Sequence, residues 1–328
     1  MQQHDDWRFC KAPEFSFDPV GVSYEKQSFI DLSQGVGIYD TDDFIAAFPA
    51  IAQQYILNKT YHSYKHDHYA LLAKDTCDRS YVLYVPSGVS FDMCIALPIV
   101  LSAQMQVNNL YIIVQQSSSI TIAHDLLGRS INTISIFLEP YAQLTCIQKN
   151  KHAIQSYNHI VCYQQEYSLF KWYGWYEKTV YNHLQSILQG KHAHAHLYNG
   201  FVGSDDTTQW LKTMQHHQVG KTESVSVTKG LHRQQSHATH LGMIRIEKNA
   251  QQVVANQQSK FMLMDVTAQA HTIPSLEVLA DDVQCAHGSA IGSFDKDILF
   301  YLQARGLSEN DAMLLLEDAF FADVQPVV

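Results

Sequence analysis

Lysine and arginine are scarce in this chain, and they never occur in a run of five or more. The 328 residues include 22 Lys and Arg against 32 Asp and Glu, which gives a net charge of -10. Nucleic acids and anionic lipid surfaces are bound chiefly through clusters of basic side chains. The charge balance therefore predicts a protein that binds neither nucleic acid nor an acidic membrane surface.

Long apolar runs are also missing. The longest, Ile95–Ala103, is about half of the roughly 20 residues that a membrane-spanning helix needs. The first ten residues, MQQHDDWRFC, have neither the basic nor the apolar segment of a secretory signal. These two absences predict a cytoplasmic protein.

Closely spaced cysteines and glycine-rich nucleotide loops are absent as well. The six cysteines contain no CxxC pair, which argues against a structural zinc site and a stable ferredoxin-type cluster. A disulfide framework is not expected in a cytoplasmic chain of this size. The motifs GxGxxG, GxxxxGK[ST] and GxSxG do not occur, so we expect no ATP or dinucleotide to be bound by such loops.

What the sequence does contain is a series of short β-type runs separated by small or polar turn residues, such as Tyr81–Val85 and Leu110–Val114. Long helical patterns between these runs are lacking, which argues against a parallel α/β sheet. The corners Asn249–Gln251 and Thr267–Gln269 are separated by a length typical of one coil of a solenoid. The pattern predicts a mainly β fold, and it favours a β-solenoid over a β-sandwich.

Helical patterns lie towards the two ends of the chain. Thr41–Tyr55 has apolar residues at helical spacing, with Pro49 as an expected break. Near the other end, Ser293 is suited to cap a helix that Gly306 would stop. A second C-terminal helix is expected to begin after Ser308, which has an acidic residue three positions later.

These patterns divide the chain into three expected regions. They are an N-terminal helical and irregular region (1–74), a parallel β-helix core (75–292) and a C-terminal helical region (293–328).

Cys285 and His287 lie two residues apart in the small-residue stretch ADDVQCAHGSAIG. If residues 281–290 form a strand, the two side chains point the same way and run parallel. A nucleophile and its base must converge and usually need a third residue to orient the base, so a catalytic dyad is disfavoured. Parallel side chains suit ligands offered to a metal, a cluster or a partner chain, but the residues alone favour structural burial of both.

A histidine stripe in the segment KHAHAH is an extra candidate metal site. His192, His194 and His196 would share one face of a strand, and imidazoles so placed can bind a divalent metal. The alternative is a polar surface stripe opposite two core alanines. No carboxylate lies nearby in sequence to orient the rings, which favours that alternative.

The segment DDVQCAHGSAIGSFDKDILFYLQARGL (281–307) closely resembles the C-terminal signature of the SufD branch of the SufB/SufD family of iron–sulphur cluster assembly proteins. Upstream, GMIRIEKNAQQVVANQQSKFMLM (242–264) is similar to a coil of that family, and SVTKGL and YVPSGV also fit. The resemblance extends from about residue 35 to 321 and is weak between about 123 and 189.

This resemblance implies a right-handed parallel β-helix (β-solenoid) flanked by N-terminal and C-terminal helical segments. It implies a non-catalytic assembly subunit that forms a heterodimer with a SufB-like paralogue and binds a SufC-like ABC ATPase, while binding no ATP itself. A nascent iron–sulphur cluster or iron would be held transiently at the SufB-like interface. His287 would be a ligand there, accompanied by Cys285. A homodimer of the isolated chain is left open as an alternative, since the sequence does not decide between homodimer and heterodimer.

The C-terminal helices would dock the ATPase, with apolar positions available for core packing or docking at Leu299, Leu302, Leu314 and Phe320. A purely structural subunit without a ligand role is one alternative. A divergent SufB-like scaffold is another, because the segment AHTIP (270–274) is SufB-like. Against it, Gly288 follows His287 where a scaffold would have an acidic residue, and Ala268 occupies the position of an essential SufB cysteine. A β-helix enzyme that cleaves polysaccharides would need a cluster of carboxylate and basic side chains on one solenoid face, and the sequence shows no such cluster.

Overall fold

A computed structural model describes residues 29–33, 35–57, 77, 79–96 and 106–325 of the chain. These residues are mainly in β-strands, with two short helices before the solenoid and two after it. The strands are β1 (Phe29–Ser33), β2 (Val36–Asp40), β3 (Arg79–Val85), β4 (Ser90–Ala96), β5 (Gln106–Val114), β6 (Ser119–Leu138), β7 (Gln143–Gln164), β8 (Leu169–Tyr176), β9 (Thr179–Leu188), β10 (His194–Gly203), β11 (Thr208–His217), β12 (Glu223–His232), β13 (His237–Ile246), β14 (Val253–Leu263), β15 (Gln269–Val278) and β16 (Val283–Gly292). The helices are α1 (Thr41–Ala47), α2 (Pro49–Tyr55), α3 (Lys296–Ala304) and α4 (Glu309–Phe321).

The strands form a solenoid of about seven turns with two stacked faces. Face A consists of β3, β5, the second halves of β6 and β7, then β9, β11, β13 and β15. Face B consists of β4, the first halves of β6 and β7, then β8, β10, β12, β14 and β16. We call the space between the two faces the lumen.

Strand pairing decides between the two β architectures that the sequence allows. From β8 onwards, each strand pairs in parallel with the strand two places further along the chain, one coil later. A sandwich would instead join antiparallel neighbours through hairpins and Greek keys. Antiparallel pairing is confined to β1–β2 and β2–β3 among the described strands. The predicted mainly β solenoid with helical segments at its ends is therefore confirmed.

The lumen changes character along the solenoid. Strand residues alternate between the lumen and the outer surface, as the two-residue period of a β-strand requires. In the first coils the inward side chains include Ile112, Ile136 and Leu184, which belong to one apolar cluster. In the later coils several inward positions are polar, including Ser226 and His240, which are fully buried.

Four asparagines form a ladder across the middle coils of face A. The side-chain amide of Asn108 donates to Asn132 at 2.9 Å, Asn132 donates to Asn158 at 2.8 Å, and Asn158 donates to Asn182 at 2.6 Å. Each asparagine is also the register partner of the next. A one-residue slip would turn an asparagine out of the lumen, so the ladder helps to specify the register.

The helices pack on the outer sides of the two faces. Residues Phe44 and Tyr55 of α1 and α2 join a cluster with Tyr84 and Phe137 on face A. Pro49 divides this segment as expected, because α1 ends at Ala47 and α2 has the proline in its first turn.

At the C-terminal end, Ser308 caps α4 as predicted, accepting a hydrogen bond from the Asp311 backbone N–H at 3.1 Å. Gly306 follows α3 with a φ of 98°, the left-handed conformation expected of a helix stop. The predicted cap at Ser293 is wrong. Asp295 caps α3 instead, because its carboxylate accepts from the Asp297 N–H at 2.8 Å.

None of the helices among the described residues is both long and apolar enough to cross a membrane. The apolar run Ile95–Ala103 lies mostly outside the described residues, as does Cys10. The division at residues 74 and 75 also falls outside them, so the three-region organisation stays a prediction. Strand β16 ends at Gly292.

Replacing Phe261 by Ala is expected to destabilise the later coils. Its side chain is fully buried in a cluster with Tyr176 and Phe201. A cavity of that size costs about 3–5 kcal/mol of unfolding free energy. Urea denaturation of the two proteins measures this difference. As a control, Val266→Ala at a fully exposed position should change stability by less than about 0.5 kcal/mol.

Candidate functional site

Cys285 and His287 both lie on β16, the last strand of face B. Cys285 pairs in register with Ala255 and His287 pairs with Gln257, both of which are buried in the lumen. The two side chains therefore project towards the lumen side by side, as the strand geometry predicts. The structure places them in parallel and not converging on one another.

The last coil is open. Among the described strands, β16 pairs only with β14 and β15 pairs only with β13. The lumen-facing positions of this coil consequently lack a covering layer, and His287 is exposed although the residues below it are buried. Apolar side chains at the same end are partly exposed too: Leu276, Val278 and Ile291 have 39%, 36% and 45% of their surface accessible.

The two candidate ligands, Cys285 and His287, have different neighbours. Cys285 is half-buried and packs against an apolar cluster that includes Ile244, Val253 and Ala255. His287 lies over Gln257, whose side-chain amide is buried, and Gln257 in turn pairs with Ser226. The thiol thus packs on an apolar cluster, whereas the imidazole stacks on the buried polar side chain of Gln257.

A cleft of about 490 Å³ adjoins this strand on the outer side of face B. The residues that line it include Lys229, Lys260, Asp323, His287 and Gly288. The Lys229 ammonium group is already engaged, because it lies 2.5 Å from the Asp323 carboxylate and donates to the Phe320 carbonyl oxygen at 2.7 Å. The cleft therefore borders the junction between the solenoid and the C-terminal helix.

Helix α4 is fastened to face B. Phe320 and Phe321 are buried with Leu231, and the Arg233 guanidinium forms an ion pair with Glu317. Helix α3, in contrast, has no buried residue. Its apolar side chains Ile298, Phe300 and Tyr301 have 48%, 72% and 55% of their surface exposed, and Leu314 and Leu315 of α4 have 59% and 49% exposed. This end of the molecule presents an unusual amount of apolar surface.

The four apolar positions expected on these helices differ in their environment. Phe320 is only 7% exposed and belongs to the contact with the solenoid. Leu314 is exposed, and Leu299 and Leu302 are half-buried. The sequence did not indicate that Phe300 and Tyr301 are exposed, because an apolar residue in a helix is usually read as part of its buried stripe.

The histidine stripe is not as expected. His192 precedes β10 and has a φ of 60°, and its ring stacks on Tyr167 with a centroid distance of 4.7 Å. Only His194 and His196 lie on the strand, facing outward, and His194 is 3.4 Å from Glu223. The corner of the coil therefore removes His192 from the strand face. In the described part of the chain, no group of three or more His, Cys, Asp or Glu residues is arranged to hold a metal ion.

Three buried histidines line the later coils. Desolvation by burial lowers the pKa of His217 to about 3 and the pKa values of His232 and His240 to about 4. His217 has hydrogen-bond partners on both ring nitrogens, Thr222 at 2.7 Å and Ser224 at 2.8 Å. These rings are therefore neutral in the folded protein at pH 7.

Comparison with known proteins adds to this geometry. The family model "SUF system FeS cluster assembly, SufBD core domain" matches residues 99–320, more than half of the chain. The chain is 32% identical over 119 residues to the iron-sulfur cluster assembly protein SufD of Escherichia coli, covering 36% of this chain and 27% of that protein. It is 33% identical over 112 residues to SufD of Plasmodium falciparum, covering 34% and 8%. An iron-sulfur cluster assembly SufBD family protein of Synechocystis is 27% identical over 166 residues, covering 42% and 37%.

The fold and the site define a β-solenoid protein whose last coil is paired on one side only among the described strands, with exposed apolar side chains on the helices beside it. The chain belongs to the SufB/SufD family of the SUF system for iron–sulphur cluster assembly. Its members are assembly subunits that are generally non-catalytic. Each alignment given above covers less than two fifths of the relative's length.

Acidification should destabilise the folded state through the buried histidines. Below pH 6.5 the unfolded chain binds a proton on each ring, whereas His217, His232 and His240 stay neutral until about pH 3–4. For each ring, protonation of the unfolded chain lowers the free energy of unfolding by up to about 1.4 kcal/mol per pH unit as the pH falls from about 6.5 to about 4. Urea denaturation across this range should show a shallower loss for His240→Gln. An unchanged slope in that variant would contradict the assignment.

Proposed function

We propose that this chain is the SufD-like subunit of a SUF cluster assembly complex. In this proposal it pairs with a SufB-like scaffold, binds a SufC-like ATPase and supports nascent cluster formation and iron acquisition. The observation that carries it is the position of His287, exposed on the lumen side of an open last coil. A side chain so placed can reach a metal held between two chains.

Strands β15 and β16 each have one edge that no other described strand covers, and these edges support the pairing step. An open strand edge presents free N–H and C=O groups, which are a template for strands of another chain. The partly exposed Leu276, Val278 and Ile291 would be buried by the same contact. A SufB-like paralogue would complete the last coil, and a second copy of this chain would do so in a homodimer.

The donor set fits part of a metal or cluster site. One imidazole and one thiol, both projecting towards the open end, are too few to hold iron or a cluster alone. The remaining ligands would come from the partner, so the nascent cluster or iron is a transient cargo of the interface. We assign the stronger ligand role to His287 and a supporting role to Cys285, which is half-buried against apolar neighbours.

Two alternatives differ from this proposal in testable ways. In a purely structural subunit, His287 would make no contribution to assembly. A divergent SufB-like scaffold would carry the additional ligands itself. Gly288, with no side chain, and Ala268, which is 5% exposed in a turn, provide no donor at the two positions where that scaffold needs one.

Replacing His287 by Ala should reduce cluster assembly while leaving the complex intact. The variant is co-expressed with SufB-like and SufC-like partners, purified and reconstituted with iron and sulphide. Bound cluster, measured by its visible absorbance and iron content, should fall by at least about tenfold, since a lost ligand costs at least as much as a lost outer-shell partner. Ser289→Ala, two residues further on the same side of β16, is the matched control. Equal assembly in both variants would favour the structural subunit.

We further propose that the exposed apolar surface of α3 and α4 docks the ATPase. Leu314→Glu places a charge in this surface without touching the buried Phe320 and Phe321. The dissociation constant for the SufC-like ATPase, measured by calorimetry, should rise by at least about tenfold, or 1.4 kcal/mol. Ile154→Glu puts the same charge at a 58% exposed residue of β7 and should have no effect. Equal affinity for both variants would exclude docking at Leu314.

A further inference from the structure

The lumen of the later coils contains polar side chains that are buried but incompletely hydrogen-bonded. Asn199, Ser226, Thr228, His240 and Gln257 are at most 1% exposed. Each has at least one side-chain nitrogen or oxygen without a hydrogen-bond partner, and Asn199 and Gln257 have two. An unpartnered buried polar atom costs about 1–3 kcal/mol, so five such residues require an explanation.

Four of these residues are neighbours on face B. Asn199 pairs in register with Thr228, and Ser226 pairs with Gln257. Register partners are about 4.8 Å apart, and Ser226 and Thr228 are alternate residues of one strand. Their unpartnered atoms therefore form one continuous polar zone that spans β10, β12 and β14.

Face A packs directly against this zone. A Cβ atom at Gly242 would collide with the side-chain amide of Gln257, so only glycine allows this amide to extend across the lumen. The Ser259 and Thr272 hydroxyls are 2.8 Å apart across the lumen, and their register partners one coil earlier are Thr228 and His240. The unpartnered nitrogen of His240 thus belongs to the same layer as Thr228.

The polar zone ends at the candidate ligand. Gln257 is the register partner of His287, and His287 is exposed at the open coil. The surroundings of Cys285 are different, because its side chain packs against the apolar side chains of Ala255 and Ile244. Buried polar groups that are crowded together and lack protein partners are the usual binding site of ordered water, which makes two to four hydrogen bonds.

We propose that Asn199, Ser226, Thr228, His240 and Gln257 hold a column of ordered water that continues to the His287 ring. Gln257 is the positioning residue. The ring nitrogen of His287 that does not bind metal donates a hydrogen bond to a water molecule, and this water molecule donates to the amide oxygen of Gln257. A metal-ligating histidine generally needs such a partner to fix its tautomer. The metal-binding part of this inference rests on the function proposed above, whereas the water column does not.

The test compares two neighbouring glutamines on opposite sides of β14. Gln257→Leu removes the lumen amide, and Gln258→Leu changes an exposed outward residue. Nitrogen-15 NMR of histidine-labelled full-length protein reports the tautomer of His287, whose signals are identified by their loss in His287→Gln. We expect one tautomer to predominate in the wild type and in Gln258→Leu. In Gln257→Leu the populations should move towards those of a freely hydrated imidazole.

Cluster assembly in the reconstituted complex gives the second measurement, with an expected loss of about tenfold for Gln257→Leu alone. If the leucine variant does not fold, Gln257→Asn keeps the polarity but shortens the side chain, and it should shift the tautomer in the same direction. Identical His287 spectra in Gln257→Leu and Gln258→Leu would overturn the inference. A shifted tautomer together with full assembly in His287→Ala would instead retain the water column and reject the ligand role of His287.

Discussion

The parallel ladder between successive coils is the constraint on which the rest of this structure depends. Each strand of the later coils is hydrogen-bonded to its equivalent one coil earlier and one coil later, so a lumen-facing position is buried only because another coil covers it. Where the ladder stops at β15 and β16, the same positions become accessible. The exposure of His287 is therefore a direct consequence of where the stacking ends.

The composition of the lumen gives this open end its chemical character. The first coils are closed by aliphatic packing and by an asparagine ladder whose amides bond to one another. In the later coils, several buried side-chain polar atoms have no hydrogen-bond partner within the protein. Such interiors are costly unless water or a ligand satisfies them. Cys285 and His287 share a strand and a direction, but Cys285 packs on an apolar cluster, whereas His287 stacks on the buried amide side chain of Gln257.

The C-terminal helices combine attachment to the solenoid with exposed apolar surface. Helix α4 is held to face B by two buried phenylalanines and by ion pairs from Lys229 and Arg233. This attachment leaves large exposed apolar side chains on α3 and, at Leu314 and Leu315, on the preceding turns of α4. The C-terminal region is thus fixed to the solenoid at one end of α4 and has apolar surface available for contact elsewhere, which agrees with an assembly subunit.

Local patterns in the sequence were enough to predict many features of this protein. Short strands, the break at Pro49, the cap at Ser308 and the stop at Gly306 follow from backbone conformation and hydrogen bonding within a few residues. Two-residue alternation also placed Cys285 and His287 on one side of a strand. The resemblance to the SufB/SufD family named the fold, and the family is confirmed.

Tertiary structure decided what lies next to what. Sequence spacing placed His192 on a strand, but the solenoid corner turns it away. Gln257 carried no local signal, and it acquires its significance only from Gly242 across the lumen and His287 one coil later. The physical reason is that alternation within a strand is a local property of the backbone. The neighbours above, below and across the lumen are set by the register between residues about thirty positions apart.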